Sequence, residues 1–123
     1  MKQIVVVGAG KIGSMIAELL GGSGDYVVTV VDRSEAQLDR LETTVATAKV
    51  AADITHGDAL QQILKGKFAV LSAAPYHATR LIAEAAKTAG CTVLHVDFRD
   101  ELAPFYFEAC GFKPTLAGLT QLE

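Results

Sequence analysis

The 123-residue sequence predicts an α/β fold built on a doubly wound parallel sheet, and three observations carry that prediction. Short apolar runs alternate with segments of helical period along the whole chain. The first run ends in a cluster of glycines that opens a helix, and an acid stands at the end of the second run. Alternating strands and helices with right-handed crossovers give the order 3-2-1-4-5, helices on both faces, and a short helix-and-strand tail at the C-terminus.

Ile4-Val5-Val6-Val7 reads as a fully buried parallel strand, because four apolar residues in a row leave no polar face. Gly8-Ala9-Gly10-Lys11-Ile12-Gly13 follows, and Ile12, Ile16, Leu19 and Leu20 then fall on one face of a helix. Gly21, Gly22 and Gly24, with Ser23 and Asp25, end that helix. Tyr26 to Val31 is the second strand, closed by Asp32 and Arg33. Ser34 caps the next helix with Gln37 at the reciprocal capping-box position, and Leu38, Leu41 and Val45 mark its buried face.

Lys49 to Ala52 is a short third strand with one large apolar residue, Val50, and belongs at the sheet edge. After a polar loop from Asp53 to Gly57, Asp58 and Gln61 suggest a cap before a short helix carrying Leu60, Ile63 and Leu64. Phe68 to Ser72 is the fourth strand and runs into Ala73-Ala74-Pro75. A helix from His77 to Ala89 presents Leu81, Ile82, Ala85 and Ala89 on one side and stops at Gly90, and Thr92 to Val96 is the fifth strand. Residues 1–100 form the main domain. Residues 101–123 add a helix and a strand from Thr115 to Leu122, packed on that same domain.

The strand, glycine turn and helix together make a phosphate cradle. Gly8 permits the tight turn, Gly10 lets a pyrophosphate approach the backbone, and Gly13 lets the helix pack close to the sheet. The free N–H groups and positive dipole end of the helix face the phosphates. Asp32 lies nineteen residues after Gly13, close to the spacing of about 20 expected for an acid that accepts the ribose hydroxyls. The expected ligand is a nicotinamide dinucleotide, held by Gly8, Gly10, Lys11, Ile12, Gly13, Asp32, Arg33, Ala73, Ala74 and Pro75. The Ala73-Ala74-Pro75 loop sits across the crevice from the glycines, where small residues leave room. NAD is favoured over NADP because the Asp32 carboxylate repels a 2′-phosphate, while Arg33 can offset part of that repulsion or stack on the adenine. The alternative at this point is a doubly wound domain that keeps the turn and has lost its ligand.

Composition narrows the class further. Half the residues are hydrophobic, a fifth are charged and the net charge is −3, as in an ordinary globular α/β domain. The Lys and Arg residues form no run, so no nucleic-acid partner is expected. No stretch approaches the ~20 apolar residues of a membrane span, and the N-terminus enters a core strand directly, which points to the cytoplasm. Cys91 and Cys110 lack metal-ligand spacing and read as reduced core thiols, with a redox pair as the rival reading.

His77 and Tyr76 at the start of the long helix, and Asp97 at the end of the fifth strand, are the polar residues expected near the crevice. No two of them make a recognisable acid–base pair. Asp97 serves equally well as a cap for the following helix. His95 reads as a satisfied buried residue and His56 as a loop residue, and neither has partners for a metal or nucleophile site.

The first hundred residues resemble the N-terminal nucleotide-binding domain of the saccharopine dehydrogenase-like family. The likeness rests on Val-Val-Gly-Ala-Gly-Lys-Ile-Gly, Val-Val-Asp-Arg-Ser, Gly57-Asp58-Ala59-Leu60, Ala74-Pro75, Ala85-Ala86 and Val96-Asp97. It implies an NAD(P)-dependent oxidoreductase acting at an amino-acid carbon–nitrogen bond. Members usually carry an acid before the fourth strand, where Lys67 and Phe68 stand here, and continue into a substrate domain that this length does not accommodate. A homodimer or a separate substrate domain is therefore expected as partner, and the isolated chain is expected to be catalytically incomplete. The glycine turn and the Val-Val-Asp-Arg continuation are also similar to nucleotide-sensing domains that regulate potassium channels and transporters, which are not enzymes. Ala103 to Pro114 looks like the C-terminal helix and loop of an N-acetyltransferase, but Phe107 stands where that family has a tyrosine and the acetyl-coenzyme A phosphate loop is missing.

Overall fold

The structure, a computed structural model, describes residues 2–41, 47–55, 58–74, 78–95, 104–114 and 119–121. Strands β1 (Lys2–Val7), β2 (Tyr26–Asp32), β3 (Ala48–Ala51), β4 (Ala69–Ser72) and β5 (Val93–His95) are parallel in the order β3-β2-β1-β4-β5. This is the doubly wound order that the sequence predicts, with β3 at the edge. The register runs from Lys2 opposite Tyr26 to Val7 opposite Val31, and Val7 is also level with Ser72 of β4. Both strands flanking the glycine turn therefore end level with it.

Successive side chains of a strand alternate between faces, and both faces of this sheet are covered. Val5, Val7 and Val31 point to the side packed by α3 (Ala59–Leu64) and α4 (Thr79–Ala89), through Leu60, Leu64, Ile82 and Ala86. Val6, Val28 and Val30 point to the side packed by α1 (Lys11–Gly22) and α2 (Glu35–Asp39), through Ala17 and Leu38. Leu41, just past α2, is buried in that layer too, whereas Val45 lies outside the described residues.

The α1 face departs from the expectation. Gly13 and Ala17 are its buried residues, Ile16 and Leu20 are half-buried against the core, and Ile12 and Leu19 face out, 67% and 71% exposed. Close packing decides this. A Cβ on Gly13 would lie 1.8 Å from the Gly8 carbonyl oxygen, so the helix can approach the turn only with its smallest residues inward. Gly21 and Gly22 belong to the helix, and the chain turns at Gly24, whose φ is +81°.

Three further helical details differ from the sequence reading. In α4 the buried stripe is Thr79, Ile82, Ala83 and Ala86, with Leu81 turned away from it. The Gln37 N–H donates to Ser34 Oγ at 3.2 Å, as the cap requires, but the reciprocal half is absent because the Ser34 N–H donates to Asp32. Asp58 occupies the position before α3 without capping it, and its carboxylate accepts from the Gln62 side-chain amide instead. His95, expected to be buried, is exposed, since Leu94 is the β5 residue turned into the core.

The tail is richer than one helix and one strand. A π-helical turn (Phe105–Ala109) leads into β6 (Phe112–Pro114), and β7 (Leu119–Gln121) pairs antiparallel with both β6 and β5. The sheet thus continues to seven strands in the order β3-β2-β1-β4-β5-β7-β6. Phe112 is buried in the α3–α4 layer. The Arg80 guanidinium stacks over the Phe105 ring and Lys87 Nζ donates to the Ala109 carbonyl, tying the tail to α4.

Candidate functional site

The site lies at the carboxyl ends of β1, β2, β3 and β4. Gly8 turns the chain out of β1 with φ of +110°, a conformation that only glycine adopts readily. Its N–H donates to the Val31 carbonyl at 2.8 Å, and a Cβ there would meet the Ala73 carbonyl oxygen at 2.8 Å. Gly8, Gly13 and Ala73 are thus packed against one another by the protein itself. Gly10 is different. Its φ of −75° suits any residue, and a Cβ built on it meets nothing within 4 Å. Among the described residues no contact requires glycine at this position, and the backbone there is open to an approaching group.

That group would meet the start of α1. Gly10 is the N-cap residue, no side chain caps the helix, and no acid stands in its first turn. The first intrahelical bond is donated by the Ser14 N–H to the Gly10 carbonyl at 2.9 Å, so the amides of Lys11, Ile12 and Gly13 have no helical acceptor. A helix end in this state suits an anion, because dipole and N–H groups both favour negative charge.

Asp32 is held by two bonds, one to the glycine turn and one to the start of α2. Its Oδ2 accepts from the Ala9 N–H at 2.9 Å and its Oδ1 from the Ser34 N–H at 2.8 Å. The carboxylate is therefore held in one orientation, and each oxygen retains a further acceptor site. Between the glycine turn, Asp32 and Ala73-Ala74 lies a cavity of about 360 Å³, within the size range of small-molecule sites. Gly8, Gly10, Asp32, Arg33, Ala73 and Ala74 line it. Lys11 and Ile12 are exposed at the helix start beside it, and Pro75, Tyr76, His77 and Asp97 lie outside the described residues.

Sequence reasoning missed the far wall, made by Ala52, Asp53, Ile54 and Thr55 after β3 and by Ala78 and Leu81 of the α4 region. Asp53 Oδ1 accepts from both the Thr55 N–H at 2.9 Å and its hydroxyl at 2.6 Å, which fixes this loop. The available signal was positional: β3 pairs directly beside β2, so its carboxyl end must open on the same crevice. Beyond Asp53, a shallow groove lined by Arg33, Ser34 and Glu35 carries the site to solvent.

The thiols lie away from this cavity. Cys91 is fully buried and donates to the Leu64 carbonyl, and burial pushes its pKa up to about 11 against a smaller opposing pull from Lys67. Cys110 is also buried and raised, again chiefly by burial, and both cysteines are free. Among the described residues no helix is long and apolar enough to cross a membrane.

The family model for the saccharopine dehydrogenase NADP binding domain matches residues 4–110. The chain belongs to this family. It is accordingly an NAD(P)-binding Rossmann domain. Its structure is similar to apo saccharopine dehydrogenase (L-Glu forming) from Saccharomyces cerevisiae, with a TM-score of 0.74 and 23% identity over 90% of this chain and 26% of that one. The chain thus spans about a quarter of that enzyme's length. A Rossmann-fold NAD(P)-binding family protein from Shigella flexneri matches with a TM-score of 0.64 and 18% identity, over 85% of this chain and 57% of the other. UDP-glucuronic acid 4-epimerase from Bacillus cereus, solved with NAD, matches with a TM-score of 0.59 and 22% identity, over 75% of this chain and 38% of the other. At these identities the likeness is one of fold. No well-characterised protein matches by sequence.

Proposed function

We propose that the chain is the NAD-binding part of an oxidoreductase that acts at the carbon–nitrogen bond of an amino acid, with the substrate held by a further domain or partner. The observation that carries the reading is the pairing of an open Gly10 with an uncapped α1 and a fixed Asp32 carboxylate. The amides of Lys11, Ile12 and Gly13 receive the pyrophosphate, with the Lys11 ammonium beside it. Asp32 accepts the adenosine ribose hydroxyls on the acceptor sites that Ala9 and Ser34 leave free. A 2′-phosphate would bring a second anion against that carboxylate, which favours NAD; Arg33, exposed at the rim, softens the preference.

The bound nicotinamide supplies hydride transfer. This chain orients it by holding the other half of the dinucleotide. A hydride partner must lie ~3–3.5 Å from the reacting carbon with an acid or base beside it; of the described cavity lining Ala73, Ala74, Ala78 and Leu81 are apolar, and Asp53 and Thr55 on the β3 side bond to each other. A substrate wall from elsewhere completes the chemistry.

Calorimetric titration with NADH, NADPH, ADP and ATP tests the reading. Saturable NADH binding several-fold tighter than NADPH, with weaker adenine nucleotides, is expected. Tighter ATP or ADP than NADH would instead assign the chain to nucleotide sensing, and no binding at millimolar ligand would leave a vestigial site. Robust amino-acid-dependent NADH formation by the isolated chain would overturn the divided active site.

A further inference from the structure

Past Asp32 the cavity opens into a groove lined by Arg33, Ser34, Glu35, Ala51, Ala52 and Asp53, and Arg33, Ala52 and Asp53 border both. Arg33 is the one cation among the described lining residues, and Glu35 follows it by two positions in the same groove. The backbone between them is fixed. The Ser34 N–H donates to Asp32 Oδ1 at 2.8 Å, and Ser34 Oγ accepts from the Gln37 N–H at 3.2 Å, which sets Glu35 in the first turn of α2. Arg33 and Glu35 are both exposed.

We infer that Glu35 is a specificity-determining residue, whose carboxylate excludes dinucleotides that carry a phosphate on the adenosine ribose. The assignment rests on the dinucleotide reading of the cavity and adds a second carboxylate to it. Asp32 alone leaves an opening. Both of its oxygens take amide N–H groups from the chain, which stabilises the charge it presents to the ribose, and the guanidinium of Arg33 comes next in sequence. A 2′-phosphate turning from Asp32 toward that guanidinium enters the groove that Glu35 lines, and it brings between one and two negative charges at neutral pH. Glu35 thus opposes the attraction that Arg33 offers. An unphosphorylated ribose is neutral and meets no such cost. Because both side chains are exposed, their fields act through a water-like medium, so each is worth a several-fold change in affinity and is screened by salt.

Fluorescence titrations of the folded protein with NADH and NADPH test this, with thermal unfolding followed by circular dichroism to verify each variant. Glu35→Gln keeps the shape of the side chain and should raise the NADPH-to-NADH affinity ratio roughly three- to tenfold at ~0.1 M salt. At ~1 M salt, where the Debye length falls to ~3 Å, most of that gain should disappear. Arg33→Ala should move the ratio the opposite way, and the double variant R33A/E35Q should return it to near the original value. Stacking of Arg33 on the adenine affects both cofactors alike and cancels in the ratio. NADH binding with a ratio that Glu35→Gln does not move, a gain indifferent to salt, or both single variants shifting the ratio in the same direction would each overturn the role of Glu35 and leave the dinucleotide site standing. No saturable binding of either cofactor by the unaltered protein would overturn both.

Discussion

Replacing Gly10 and Gly13 by alanine, one at a time, separates what the ligand requires from what the fold requires. A methyl on Gly13 falls 1.8 Å from the Gly8 carbonyl oxygen, and both groups are backbone, so α1 must shift away from the sheet. Overpacking of this kind costs about 1–3 kcal/mol, and the upper end is expected because nothing flexible can yield. For a domain of this size that corresponds to a fall in thermal midpoint of roughly 5–15 °C. Gly10→Ala meets nothing within 4 Å among the described residues and keeps a permitted φ of −75°. Its effect on stability should stay within about 1 kcal/mol, since lost chain entropy in the unfolded state and a slightly poorer cap oppose each other. The methyl does stand where the pyrophosphate must approach. NADH affinity should drop by at least tenfold, about 1.4 kcal/mol. The assays are thermal unfolding by circular dichroism and NADH titration on both variants. A Gly10→Ala protein that unfolds as early as Gly13→Ala, or that binds NADH unchanged, would contradict this division between ligand and fold.

Asp32→Ala should weaken NADH by ~1–3 kcal/mol and NADPH by less, because only the unphosphorylated ribose uses the carboxylate; equal losses in parallel titrations would confine Asp32 to holding the turn. The same variant should lower unfolding stability by about 1–3 kcal/mol, since the Ala9 and Ser34 amides lose their acceptors, a loss that denaturant melts of the unliganded protein will reveal. Cys91 makes stability depend on alkaline pH: the unfolded thiol ionises near 9.0 while the folded one holds its proton to about 11. Its contribution is complete below the lower value and is lost as pH rises through the higher, at up to about 1.4 kcal/mol per pH unit between them. Urea melts across that window should be steeper in pH for the unaltered protein than for Cys91→Ala, and identical slopes would count against a buried neutral thiol.

The parallel core was legible because strands buried on both faces must be apolar throughout, and the runs ending at Val7 and Val31 satisfy that without reference to any partner. The strand order followed from the alternation of elements alone. The rotation of α1 was not legible. Hydrophobicity ranks Ile12 and Leu19 as core residues, whereas the 1.8 Å limit at Gly13 turns the smallest residues inward. A period of apolar residues locates a helix, and close backbone packing decides which of them it buries. The tail strands, three residues each, are too short to carry any period, and β7 owes its place to antiparallel pairing with β5.

At the site, the glycine turn and Asp32 stood out because the constraint is local and the spacing fixed. The second role of Asp32 was hidden, since accepting an N–H from Ala9 across twenty-three positions leaves no mark in the sequence. Asp53 to Thr55 went unrecognised as a wall for the same reason: only the pairing of β3 with β2 brings that loop to the crevice.

The most direct test of the account is amide chemical-shift mapping of the 123-residue protein during titration with NADH. Saturable shifts should concentrate on Ala9 to Gly13, on Asp32 and Arg33, and on Ala73 and Ala74, with smaller changes at Asp53 to Thr55. Shifts confined to other surfaces, or none at saturating cofactor, would contradict the claim that the Gly8 to Gly13 turn is the dinucleotide site.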